Sequence, residues 1–344
     1  MSLRRASTLA AAGAFVGALT SPLLTSPLSA QELTLRVADF YPVGHPTPEY
    51  SIQYWMDQVT ERSDGRVAFE YFPAQQLGQA TDLLDLSLSG VTDVAGYATS
   101  YVSDRMPLSS VAELPGAFGS SCAGTMAYWQ LATEGPLQAE YEANDSRLLF
   151  VIVNPPFQLF LTDGPFTGPE AVEGLRIRTT GGAQEETIAA LGGVPVRMAG
   201  PEIYEALARR TLDGVVFPVT SLFSYDLHEH VRFATAGESF GSGVLPYTMS
   251  LETWNGLSDE VQEIMVELGE ETSRRACEMI DADIEPAVAR LSEEGVEVVN
   301  PDGAGRTAFI AETNAVAERW ATTLDERGLP GSEVLEAFAS ALAD

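Results

Sequence analysis

The chain has 344 residues, 45% of them hydrophobic, which is enough for two packed domains and too much for a wholly disordered chain. Its net charge is −30, from 49 acidic against 19 basic residues, and every basic residue is arginine. Such a surface repels nucleic-acid phosphates, and the absence of lysine excludes a P-loop and a Schiff-base cofactor enzyme.

Arg4 and Arg5 are the only charges before Glu32. An apolar run over 9–19 follows, then a small-residue end, Leu28-Ser29-Ala30. This is the pattern of a secretory signal over 1–30, cleaved after Ala30 by general or twin-arginine export. The run is too short to span a bilayer, which takes about 20 residues. The exported chain is expected in the periplasm.

From residue 33 onward, strand and helix patterns alternate. Residues 33–40 read as a strand and 49–62 as a helix with Ile52, Trp55, Met56 and Val59 on one face. Residues 66–72 are a second strand, 81–89 a helix stopped by Gly90, and 91–97 a third strand. That order predicts a parallel sheet covered by helices. The style repeats: strands over 148–153, 174–178, 194–198 and 213–217, with helices over 184–191 and 201–208. The last third is mostly helical. Ser258 caps one helix, Val288 to Leu291 continue another past Pro286, 296–299 is a short strand, and 307–324 and 332–342 are terminal helices. Two α/β halves joined without a linker predict a cleft between lobes that close by a hinge.

Enzyme motifs are weak. Gly237-Glu-Ser239-Phe-Gly241 matches the serine-hydrolase elbow, but no helix pattern follows it and all three histidines precede Ser239. His228-Glu229-His230 reads as a solvated polar turn rather than a metal site. No Cys-x-x-Cys occurs. Cys122 and Cys277 either bridge, as an oxidising compartment permits, or stay as two buried thiols. Spacing does not decide between these.

Four stretches carry a resemblance. They are LRVADFYPVGHP over 35–46; Gly65-Arg66-Val67, Tyr71-Phe72-Pro73 and Gln76-Leu77-Gly78; Gly90 to Asp93 with Leu114-Pro115; and GLRIRTT, LGGVPVRM, EIYEAL and LDG between Gly174 and Gly214. In order and spacing the chain resembles the solute-binding subunit of a tripartite ATP-independent periplasmic (TRAP) transporter, in the dicarboxylate-binding-protein family.

The resemblance implies an α/β, two-lobe periplasmic-binding-protein fold with a ligand cleft between discontinuous lobes. Lobe I is expected over 31–153 plus 244–284, and lobe II over 154–243 plus 285–344. It places the family's ligand-gripping arginine at Arg178, where a guanidinium forks onto a carboxylate. Arg176 falls at a variable surface position. The family's second arginine corresponds to Gln158, its polar Asn to Phe217, and an acidic residue after the third strand to Ala98. The pocket is therefore expected to be less polar, with one arginine and an aromatic rim of Tyr97, Tyr101, Phe40 and Tyr41 at the carboxyl ends of strands. These features favour a monocarboxylate with an apolar or aromatic body over a dicarboxylate.

The implied function is capture of a small organic acid and its delivery to TRAP membrane permease subunits, by a monomer with no catalysis, no cofactor, no metal and no nucleic-acid partner. The binding protein of an ATP-coupled transporter, an exported sensor partner and a periplasmic enzyme are the competing readings.

Overall fold

The computed structural model describes residues 33–343. The expected signal segment lies outside them. Among the described residues eleven strands form two sheets: β1 (Leu33–Ala38), β2 (Val67–Phe72), β3 (Val94–Gly96), β4 (Ser146–Val153), β5 (Gln158–Leu161), β6 (Arg176–Thr179), β7 (Val194–Arg197), β8 (Gly214–Phe217), β9 (Phe233–Ala234), β10 (Val244–Ser250) and β11 (Glu297–Val298). One sheet has the order β2-β1-β3-β10-β4, the other β11-β9-β5-β8-β6-β7.

The first three strands are parallel, as their βαβ order requires. The sheet as a whole is mixed, because β10 returns from the second half of the chain and lies antiparallel between β3 and β4. The second sheet is mixed too: β6 runs parallel to β7 and β8, while β5 runs antiparallel to β8 and β9. The inner strands are buried, β5, β8 and β10 at every residue. Trp55, fully enclosed, packs against Phe69 and Phe150 at 5.4 and 6.0 Å between ring centroids.

Helix Ser121–Glu134 and helix Asp259–Ala282 both pack on β4. Gly269 lets the long helix approach closely, since a Cβ there would stand 2.5 Å from the Leu149 carbonyl oxygen and from the Trp129 ring. The two helices are joined by a Cys122–Cys277 disulfide, which decides between the two readings of that pair. Asp281 completes the join, accepting from the Ser121 and Cys122 amides at 2.7 and 3.0 Å and so capping the shorter helix.

The backbone passes between the sheets at 154–157, at 235–243 and at Asp283, where helix Asp259–Ala282 gives way to helix Ile284–Glu293. The first two crossings hydrogen-bond to each other. Asn154 N–H donates to Gly243 O (2.9 Å), Phe157 N–H to Gly241 O (2.8 Å) and Ser242 Oγ to Asn154 O (2.6 Å).

The end of the chain departs from the expected division, which assigned all of 285–344 to the second lobe. Helix Gly303–Glu326 starts beside the second sheet, with Phe309 against Phe166 and Phe240. It finishes in the first lobe's core, where Trp320 Nε1 donates to Ser110 Oγ at 2.8 Å. Helix Gly331–Ala341 then packs on Ser121–Glu134, with Phe338 edge-on to Phe118. From Val316 onward the apolar faces of these helices find their partners on lobe I.

Candidate ligand-binding site

A cavity lies between the two sheets. Its walls come from segments leaving the carboxyl ends of β1, β3, β4, β6 and β8, where open α/β sheets place ligands. Phe40 and Tyr41 follow β1, stacked at 4.7 Å. Tyr101 stands edge-on to Phe40, and Phe157, Phe217 and Tyr225 line the opposite side.

Arg178 is the cavity's cation and is 1% exposed. Nε donates to Met198 O at 2.9 Å and Nη1 to Val216 O at 3.1 Å, so neighbouring backbone holds the guanidinium in place. Its carbon lies 5.4 Å from the centre of the Phe217 ring. Burial pulls its pKa below the ordinary arginine value, partly opposed by the nearby Tyr101 and Tyr225 hydroxyls. None of the ion pairs among the described residues includes Arg178. A dry guanidinium without an anion is a costly arrangement that a carboxylate relieves. Arg176, by contrast, lies at the surface and is forked onto Asp213 at 2.9 and 2.8 Å.

Several bonds join the walls across the cleft. Arg197 Nη2 donates to the carbonyls of Ser100 and Tyr101 at 2.9 and 3.0 Å. Gly200 N–H donates to the Tyr101 hydroxyl at 2.9 Å. His45 accepts from Thr47 N–H at Nδ1 (3.2 Å), so its proton sits on Nε2 and is donated to Ser221 Oγ at 3.0 Å. Burial lowers the His45 pKa to about 3, keeping the ring neutral. Beneath Tyr41, buried Asp39 accepts from the Tyr71 and Tyr247 hydroxyls. Burial raises its pKa to about 6 despite these bonds.

Of the residues singled out from sequence, Arg178, Phe217, Tyr101, Phe40 and Tyr41 meet at the cavity, and two do not. Tyr97 points into the first lobe's core, its hydroxyl 3.5 Å from Met106 Sδ, because the strand period that brings Ala98 to the cavity turns Tyr97 away. Gln158 is spent on the crossing backbone. Its Nε2 donates to Pro156 O and Glu238 O, and its Oε1 accepts from Thr235 Oγ1 and Glu238 N–H. It is a clamp on the chain crossing rather than a replacement for a second arginine.

The sequence reading missed Ser100, Asn154, Thr180 and Tyr225. Thr180 was accessible by strand period, two residues beyond Arg178. Asn154 is the first polar residue after the buried run 148–153. Ser100 sits on a single 3-10 turn and Tyr225 on a turn, both too short to give a periodic signal.

A family model described as bacterial extracellular solute-binding protein, family 7, matches residues 38–323. The chain belongs to that family. It is a TRAP-type solute-binding protein, of a kind that is periplasmic, binds small organic acids, works with membrane permease subunits and is not a family of enzymes. Among the described residues no helix is long and apolar enough to cross a membrane. The 2,3-diketo-L-gulonate-binding periplasmic protein YiaO of Escherichia coli is 23% identical over 285 residues, 80% of this chain and 83% of that protein. A marine-metagenome TRAP solute-binding protein specific for aromatic acids, solved with 3-hydroxybenzoate, superposes with a TM-score of 0.86 at 21% identity, covering 91% of this chain and 99% of that one. A TRAP solute-binding protein from Bordetella bronchiseptica, solved with (R)- and (S)-mandelate, gives 0.83 at 25% identity, with 90% and 98% covered.

Proposed function

We propose that this solute-binding protein captures a monocarboxylate with an aromatic or apolar body, holds its carboxylate on Arg178, and presents it to a TRAP permease. The observation that carries the reading is the buried guanidinium of Arg178, in none of the ion pairs among the described residues and set in a cavity walled by aromatic rings. One cation matches one carboxylate, and a second carboxylate would be buried unpaired. The aromatic acids bound by two of the structural relatives support the same class. Capture is by hinge closure, which forms the His45–Ser221, Gly200–Tyr101 and Arg197–Ser100 bonds across the cleft. The exported form is a monomer beginning at Gln31, as the small-residue end at Ala30 implies. Intact-mass analysis of periplasmic material checks this start.

A thermal-shift screen of residues 31–344 tests the class. At a hundredfold excess over Kd a specific ligand adds about 2.7 kcal/mol to stability. Benzoate-, phenylacetate- or mandelate-type acids are expected to shift the transition and succinate is not. A shift with succinate alone contradicts the monocarboxylate reading.

A further inference from the structure

Ser100 and Thr180 line the cavity from opposite lobes and are 0% and 5% exposed, yet neither hydroxyl has a hydrogen-bond partner. Buried hydroxyls are ordinarily paired, and a bare one is a sharp anomaly. Two of them in one ligand cavity point to a group on the ligand.

Their placement is fixed. Ser100 is held through its carbonyl by Arg197 from β7. Thr180 is held through its N–H, donated to Gln184 Oε1 at 3.1 Å. Between them the chains touch: Gly181 has φ +115°, and a Cβ there would lie 3.0 Å from Ser100 O and 2.9 Å from Arg197 Nε, so only glycine permits this approach. Glu113 backs the same corner. Its Oε1 accepts from Thr99 Oγ1 at 2.9 Å, and its Oε2 is buried without a partner. The Ser100 hydroxyl and N–H are close enough to ease the charge on that carboxyl, but Ser100 Oγ makes no well-formed bond to it.

We infer that Ser100 and Thr180 form a hydroxyl-reading corner, so that the ligand is a hydroxylated acid, its carboxylate on Arg178 and its hydroxyl between these two side chains. The inference rests on the monocarboxylate reading above and narrows it. A hydroxyl suits the corner because it donates and accepts at once, as both side chains do. An unsubstituted acid leaves both hydroxyls buried and unpaired, and a site built this way rejects the analogue that lacks the group.

The test is calorimetric titration of residues 31–344 with benzoate and phenylacetate as parents, and with 2-, 3- and 4-hydroxybenzoate and mandelate as hydroxylated probes. At least one hydroxylated probe is expected to bind about ten- to a hundredfold tighter than its parent. Ser100→Ala and Thr180→Val are expected to remove most of that gain, lowering affinity for the hydroxylated probe by about ten- to a hundredfold more than affinity for its parent. Thr180→Ser, which keeps the hydroxyl, is expected to retain the gain. Equal affinity for parents and all hydroxylated probes overturns the inference and leaves the monocarboxylate reading intact. So does equal weakening of parent and hydroxylated probe in the variants, which assigns the two hydroxyls to the carboxylate instead. Failure of every acid in the panel to bind overturns both.

Discussion

His45 and Ser221 meet across the cleft, Nε2 to Oγ at 3.0 Å, one following β1 and the other following β8. The bond links the two lobes beside the ligand cavity, with Tyr41 and Tyr225 on either side of the imidazole at 4.5 and 5.8 Å. The cleft thus holds a buried, neutral histidine with both ring nitrogens engaged.

This makes the latch sensitive to acid. With its pKa near 3 in the closed form and 6.5 when exposed, His45 contributes fully above pH 6.5 and progressively less as pH falls toward 3. By pH 5 the open or unfolded form gains roughly 2 kcal/mol from proton uptake that the closed form refuses. The advantage of the unmodified protein over His45→Gln, measured by denaturant unfolding with ligand present, should shrink by about that amount between pH 7 and pH 5. An advantage independent of pH removes the latch role.

Buried carboxyls work in the opposite direction. Burial raises Glu113 and Glu140 to about 7 and Asp39 to about 6, so the folded chain holds these protons where the unfolded chain has released them. Their contribution is full below about pH 4 and is lost as pH rises through 6–7. Glu113→Gln keeps the shape without the charge, and its stability relative to the unmodified protein should rise between pH 5 and pH 8. Urea midpoints at the two pH values decide it.

The Cys122–Cys277 bridge closes a sequence separation of 155 residues. On the loop-entropy account such a crosslink is worth about 5 kcal/mol, less whatever structure the reduced unfolded chain retains. Cys122→Ser/Cys277→Ser should fold with a clearly lower urea midpoint and unchanged ligand stoichiometry, since the bridge lies away from the cavity. An unchanged midpoint contradicts the assignment of a stabilising role.

The regular halves of the fold were legible because their periods are clean: β1, β2 and β6 lie within two residues of their sequence patterns. Strand β10 was not, since Gly243 and Pro246 interrupt a segment that only its burial between β3 and β4 makes a strand. Helix Ser121–Glu134 was missed because its buried face carries Ser121, Gly124 and Thr125 while its exposed face carries Ala123, so polarity does not follow burial. At the site, Arg178 stood out through the surrounding motif. Gln158 was misread because the bonds that consume its amide come from Thr235 and Glu238, some eighty residues away. Long-range hydrogen bonding leaves no local trace.

Arg178 is the centre of this account, and one titration addresses it. Affinity for the tightest-binding aromatic acid is measured by calorimetry for the unmodified protein, Arg178→Ala, Arg178→Lys and Arg176→Ala, with far-ultraviolet circular dichroism to confirm folding. Removing one partner of a buried charge pair costs roughly 2–5 kcal/mol, so Arg178→Ala should raise Kd by about thirtyfold to several thousandfold. Arg178→Lys should also weaken binding, because an ammonium lacks the planar fork, while Arg176→Ala should change little. An Arg178→Ala protein that folds normally and binds as tightly as the unmodified chain would contradict the assignment of the site.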